Sequence, residues 1–439
     1  MKILIKNCNL ISMNLKEPEN KIQKNMDILI ENEKIIKISK NIKDFAEKVI
    51  DGTEKIVMPG LINTHAHVPM SIFRETVDGY ITQDWLTQKI WPVEAKLTEE
   101  DIYFASMLSY IEMIYSGTTT INDMYFMQNK IVDAALDTGV RLQVTRTLMD
   151  TDGSGERKLV EIEEFIKKYK EKYDTISLNV GIHGLYTNTE EYLQKGLEIA
   201  KKYKLPVNMH FCENERECED IKRMYNVASP IEPIEKYFKN VHLILAHAVK
   251  LTNDEIEKIA KHDIYIAHCP VSNLKLGCGI APITKMQEEN ICISLGTDGQ
   301  GSGSNLDMFE TMKYTALLQK GYLENPTLMP AYEVLKMATI NGAKTLNLEN
   351  QIGSIEEGKL ADIIILNLDS PLTLPLNDII AEIVYNVKAQ NVETTIVNGK
   401  ILMENKVFKL KNDPKVIYEK CENIINRICS HEKIYFKKV

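Results

Sequence analysis

Four groups of residues, spread over more than half the chain, have the types and settings of one metal site. They are His65-Ala66-His67, His210 with Glu213 three positions on, His247, and Asp298 within Gly296-Thr297-Asp298-Gly299. Each stands where a short apolar, β-rich run gives way to a polar loop. His65 and His67 are two apart on a strand, so both side chains leave the same face. Neutral imidazoles with a carboxylate, and one coordination position left for water, suit a hard or borderline divalent ion. That set supports hydrolysis, because an ion of this kind lowers the pKa of its water toward ~7.

Each group alone also has an ordinary structural explanation. A His-x-His pair often binds nothing, a single buried histidine is commonly satisfied in a core, and an aspartate beside glycines commonly shapes a turn. Their joint placement at strand ends is what argues for metal.

Elements must bring these residues together. The first part of the chain reads as short alternating strands at 2–5, 26–30 and 34–38, with 31–33 as a hairpin turn. The C-terminal part resumes that style at 360–366, 394–397 and 400–403, with Asn398-Gly399 as a type I′ hairpin signal and 415–428 as a closing helix. Between them, strand and helix patterns alternate. Strand candidates end near His67, Asp123, Leu148, His183, His210, His247, His268 and Asp298, separated by helical stretches such as 99–116, 189–204 and 252–261. Eight βα units in roughly 290 residues fit an α/β (β/α)8 TIM barrel better than an open doubly wound sheet. The expected division is 1–58 and 355–439 as the two parts of a small β-sandwich domain, with 59–354 as the barrel. All candidate ligands fall at C-terminal strand ends, where barrel active sites lie.

Composition removes several functions. The chain has 439 residues, 44% apolar and 26% charged, with net charge −9, which argues against a broad nucleic-acid or anionic-membrane partner. No apolar run approaches the ~20 residues of a membrane span, and Lys6 and Asn7 interrupt any signal-peptide core. Eight cysteines without Cys-x-x-Cys spacing read as reduced thiols of a cytoplasmic protein. No Gly-x-Gly-x-x-Gly or Walker pattern opens a helix. The His-x-Glu…Pro-Cys-x-x-Cys signature of the cytidine-deaminase fold is missing too. His242, His262, His268 and His431, and the thiols Cys269 and Cys278, read as core, surface or barrel-end packing.

Several segments carry a resemblance over nearly the whole chain. They are Pro59-Gly60-Leu61-Ile62-Asn63-Thr64-His65-Ala66-His67, Trp91-Pro92-Val93-Glu94, Met209-His210-Phe211-Cys212-Glu213, Ala246-His247-Ala248, His268-Cys269-Pro270-Val271-Ser272-Asn273-Leu274-Lys275-Leu276-Gly277, and Gly296-Thr297-Asp298-Gly299. With these the sequence resembles the amidohydrolase superfamily, and within it the 5-methylthioadenosine/S-adenosylhomocysteine deaminases and their 5′-deoxyadenosine relatives. The resemblance implies hydrolytic deamination of a 5′-modified adenosine to the inosine analogue, with ammonia released. It makes His65, His67, His210 and Asp298 the metal ligands, Glu213 the proton shuttle, and His247 the group that orients the attacking water. One divalent ion per chain is implied, since superfamily members with two bridge them by a modified lysine after strand four, and none stands at 176–183. Zinc is the expected ion, with iron or manganese as alternatives. On the substrate side it implies Glu94 for the ribose hydroxyls, Arg146 at the end of strand three and Arg157 in a 150–157 loop for a homocysteine carboxylate, and His183, Trp85 and Ser302 along the ligand. The residue-level alternative for the arginines is an ordinary surface ion pair. The resemblance also implies a small-molecule nucleoside partner and a homo-oligomer, dimer or tetramer. Competing readings are a guanine deaminase, a triazine chlorohydrolase, or a non-catalytic assembly protein.

Overall fold

The structure, a computed structural model, describes residues 1–16, 21–76 and 78–430; His431 lies outside them. Eight parallel strands each lead to a helix. β1 (Leu61–Ala66) precedes α1 (Glu99–Tyr115), β2 (Thr118–Tyr125) α2 (Gln128–Thr138), and β3 (Arg141–Arg146) α3 (Gly155–Tyr169). β4 (Val180–Gly184) precedes α4 (Glu190–Tyr203), β5 (Val207–Phe211) α5 (Glu215–Tyr225), and β6 (Leu243–His247) α6 (Asn253–Ile259). β7 (Ile264–His268) and α7 (Ile283–Glu288), then β8 (Cys292–Leu295) and α8 (Met308–Tyr322), complete the series. All eight expected strand ends are therefore present.

The strands run in two parallel sheets. β1, β2, β3 and the short strand Ile176–Leu178 form one, and β4 to β8 form the other. Leu148 joins them, donating from its N–H to Gly181 O at 2.8 Å and accepting from His183 N–H at 2.9 Å. The other seam closes through Asp298 N–H to His65 O at 3.0 Å and Thr64 Oγ1 to Leu295 O at 2.9 Å. Strands buried on both faces favour apolar runs, and Leu243–His247 is buried at every position. The helices carry their own start signals. Thr98 and Asp101 form a reciprocal capping box on α1, and Thr252 and Glu255 another on α6.

Both chain ends build one further sheet of nine strands. Its pivot is Ile56–Pro59, which pairs parallel with Lys2–Leu10 and antiparallel with Ile363–Leu366. That strand and Lys48–Asp51 escaped the sequence reading because four residues are too few to show alternation. The inner face gathers Ile3, Ile5, Ile28, Ile30, Val57, Ile363, Ile365 and Ile396 in one buried cluster. Asn398 and Gly399 sit at φ +50° and +70°, the type I′ geometry their sequence signals. A Cβ on Gly399 would lie 1.7 Å from Asn32 O, so only glycine fits there. The closing helix Pro414–Ser430 packs Ile417, Cys421, Ile424 and Ile428 into the main core beside α1. Arg141 at the start of β3 ties barrel to terminal sheet: its Nε and Nη2 bind the two oxygens of buried Asp362 at 2.7 and 3.1 Å. Among the described residues no helix is long and apolar enough to cross a membrane.

Candidate metal centre and its cleft

His65 and His67 leave the end of β1, His210 the end of β5, His247 the end of β6, and Asp298 the turn after β8. Those ends share one rim, so residues more than 230 positions apart converge. His67 Nε2 lies 3.2 Å from His210 Nε2 and 3.1 Å from Asp298 Oδ1. His65 Nε2 lies 3.6 Å from the same oxygen. Ligand atoms of His65, His67 and His210 fall within 4.8 Å of one another, as do those of His65, His247 and Asp298.

The outer hydrogen bonds fix which nitrogen points inward. His67 Nδ1 donates to Met124 O at 2.6 Å, and His210 Nδ1 to His183 O at 2.6 Å. With both rings neutral, each donation leaves Nε2 bare, so two lone pairs face each other at 3.2 Å. That arrangement repels unless a cation lies between them, the usual reason for such second contacts at a metal. Neither nitrogen of fully buried His65 has a hydrogen-bond partner, and Asp298 Oδ1 has none either. Asp298 Oδ2, by contrast, accepts from Ser272 Oγ and Ser302 Oγ, both at 2.6 Å. Burial favours neutral His67, yet the Asp298 carboxylate 3.1 Å from its Nε2 raises its pKa to about 9. The field at this point therefore favours positive charge. Three imidazoles and one carboxylate with orphaned inward atoms fit a divalent ion.

Glu213 stands beside this cluster, buried at the end of β5. Burial is the first cause that raises its pKa above the ordinary carboxylate range. Its backbone is pinned from below: Glu217 on α5 accepts from Cys212 N–H at 3.0 Å and Glu213 N–H at 2.8 Å. Cys278 Sγ lies 3.6 Å from Glu213 Oε1, so this thiol is part of the site's surroundings and not only barrel-end packing. His247, at φ +73°, donates from Nδ1 to Asn273 Oδ1 at 2.8 Å, which leaves its other nitrogen for the cleft. The roles of Ser272, Asn273 and Glu217 were not read from sequence. Ser272 and Asn273 lie inside a recognisable segment, and Glu217 is four positions after Glu213, but only the fold supplies the partners.

A cleft of about 950 Å³ opens above the cluster, lined by His67, His210, Glu213, His247 and Asp298 at its base. All the expected substrate-side residues, Trp85, Glu94, Arg146, Arg157, His183 and Ser302, line it too. Glu94 ends the short helix Trp91–Glu94 and accepts a hydrogen bond from the Tyr125 hydroxyl. Burial raises the Glu94 pKa to about 7. Tyr125, two positions past Asp123 on β2, was missed as a site residue. Burial lowers the His183 pKa to about 3, so its ring is neutral, with Nδ1 3.1 Å from Thr187 Oγ1. Arg157 differs from expectation in its setting: it stands in the first turn of α3, not in a loop. Ser154 opens that helix and acidic Glu156 suits its N-terminal end.

The fold and the cluster together define a class: a TIM-type barrel with a His-and-Asp centre able to hold a divalent ion at its strand C-termini. Residues 56–402 match the amidohydrolase family, and the chain belongs to that family. It is 39% identical, over 97% of its length and 99% of the relative's, to a 5-methylthioadenosine/S-adenosylhomocysteine deaminase of Caldanaerobacter subterraneus subsp. tengcongensis. A 5′-deoxyadenosine deaminase of Methanococcus aeolicus is 40% identical over 94% of this chain and 97% of that one. Among solved structures, an adenosine deaminase from Xanthomonas campestris with bound zinc superposes with TM-score 0.91 at 26% identity, covering 98% of both chains.

Proposed function

We propose that this protein is a metal-dependent hydrolase that deaminates 5′-modified adenosines to their inosine analogues, releasing ammonia. The observation that carries the reading is one cleft holding buried Glu213 beside the His65, His67, His210 and Asp298 cluster, with Glu94 on its wall. The names of the relatives support the substrate class.

His65, His67, His210 and Asp298 would hold a divalent ion, with zinc the first expectation, and its Lewis acidity would acidify water. The chain's own residues do the rest. Glu213 takes the proton released by the attacking water, passes it to the purine ring nitrogen, and delivers the next to the departing amine at C6. Burial raises its pKa above the ordinary carboxylate range, the direction that lets a carboxyl group hold a proton before passing it on. His247, held by Asn273, orients the attacking oxygen. Glu94 offers two acceptor oxygens to the ribose hydroxyls, with Tyr125 fixing its rotamer. His183, Trp85 and Ser302 shape the walls around the base, and Arg146 and Arg157 face the 5′-substituent. Glu94 also weighs against the guanine and triazine readings, since those substrates have no ribose.

The same reading divides the chain into a β-sandwich of residues 1–58 and 355–439 around a barrel of 59–354. It also takes the enzyme as a cytoplasmic homo-oligomer, a dimer or tetramer, which the free cysteines among the described residues suit as reduced thiols. The test is ammonia release from adenosine, 5′-deoxyadenosine, 5′-methylthioadenosine, S-adenosylhomocysteine and guanine. Release from the adenosines and not from guanine is expected; the reverse pattern overturns the proposal.

A further inference from the structure

α3 turns Arg157, Lys158 and Glu161 toward the cleft, opposite Arg146 at the end of β3. Spacing of one and four along a helix places these three side chains on adjoining faces. Arg146 is buried, and its guanidinium is already engaged. Its Nε donates to Glu161 Oε2 at 2.7 Å and its Nη1 to Thr147 O at 3.0 Å. Arg157 Nη1 lies 3.4 Å from the other oxygen, Glu161 Oε1. One carboxylate of the chain itself is thus shared between the two guanidinium groups. Lys158 is answered in the same way, by Asp152 Oδ2 at 2.6 Å and Met149 O at 2.9 Å.

A pair of arginines lining a cleft would ordinarily attract an anionic group by bidentate, charge-assisted bonds. Here that attraction is spent internally. An incoming carboxylate would have to part Glu161 from Arg146 or sit beside it. Parting them only exchanges one carboxylate for another on Arg146 and leaves Glu161 without its partner, so the newcomer gains little. Sitting beside it sets two negative charges at one site, which disfavours both ionised forms. Arg157, with 68% of its side chain exposed, can move away freely, but buried Arg146 cannot.

We propose that Glu161 is a built-in occupant of the arginine subsite, so that the cleft selects adenosines with an uncharged 5′-substituent over those ending in a carboxylate. This rests on the deaminase reading above and adds its specificity. Glu161 acts through the two arginines, as a specificity residue and not a catalytic one. Neutral substrates such as 5′-deoxyadenosine never meet the paired groups as competitors. Carboxylate-bearing S-adenosylhomocysteine does.

The test is the ratio of kcat/KM for S-adenosylhomocysteine to that for 5′-deoxyadenosine, in the wild-type protein and in Glu161→Gln. The amide can still accept from Arg146 Nε but carries no charge. Wild type should favour 5′-deoxyadenosine, and Glu161→Gln should raise the ratio about 10-fold, the worth of one charge-assisted hydrogen bond. The gain should appear in KM for S-adenosylhomocysteine, which general loosening of α3 would not produce. Glu161→Asp, which keeps the charge, should keep the wild-type order. Should the glutamine variant fold poorly, Glu161→Ala provides the same uncharged comparison. An unchanged ratio in the uncharged variants, or a wild type that prefers S-adenosylhomocysteine, overturns the inference while leaving deamination standing. Ammonia from neither nucleoside overturns the deaminase reading, and this inference with it.

Discussion

Two carboxylates of the cleft, buried Glu213 and half-buried Glu94, divide the work of the proposed reaction at the residue scale. Glu213 lies beside the metal ligands and Glu94 beside Tyr125, and burial raises the pKa of both. Glu213→Gln is nearly isosteric but cannot carry a proton, so it should keep its metal and lose about 10²- to 10⁴-fold in kcat. Elemental analysis beside turnover checks this, and near-normal kcat in a metal-loaded variant removes Glu213 from the mechanism. Glu94 supplies a pH dependence with a definite sign. With its pKa at about 7, Glu94 is ionised above that pH and protonated below it. A protonated carboxyl loses part of its acceptor capacity for ribose. KM for adenosines should therefore rise as pH falls through about 7, and Glu94→Gln should raise KM and flatten that limb. A pH-independent KM in wild type would detach Glu94 from substrate.

Elements explain why some of this was legible in the sequence and some was not. Parallel strands buried on both faces tend to read as apolar runs, as Leu243–His247 and Ile264–His268 do, so strand ends and the ligands on them stood out. Asn398-Gly399 announced its hairpin for an equally local reason, a backbone that needs positive φ. The terminal strands Lys48–Asp51 and Ile56–Pro59 were too short to declare a period. Arg157 was assigned to a loop because the start of α3 lacks an apolar residue in its first turn. Contacts across elements, such as Tyr125 with Glu94, Asn273 with His247 and Glu161 with Arg146, have no local signature. Arg141 with Asp362 is another of these, and it couples β3 to the terminal sheet through a buried, two-pronged pair. Asp362→Ala leaves the Arg141 guanidinium buried without its carboxylate, so it should destabilise the protein by about 3–5 kcal/mol. Denaturant unfolding measures this, and a loss below about 1 kcal/mol, the worth of an exposed pair, would mean the two units are joined by apolar packing alone.

For the whole molecule, the arrangement concentrates unlike groups at one rim and leaves the rest of the chain to hold that rim still. β1, β5, β6 and β8 supply the cluster, and on the proposed reading Glu213 supplies proton transfer and the wall of α3 selects the substituent. An ion that binds the folded cluster and not the unfolded chain also stabilises the fold by mass action. The central claim, deamination of 5′-modified adenosines at a single-ion centre, is tested most directly by one titration. Zinc is added back to chelator-treated protein, and ammonia and the inosine analogue formed from 5′-methylthioadenosine are measured at each step. Activity is expected to rise from near zero and to level off at one ion per chain, with ammonia and inosine analogue in equal amounts. Ammonia release indifferent to the ion, a plateau only at two ions per chain, or no deamination at any loading would contradict it.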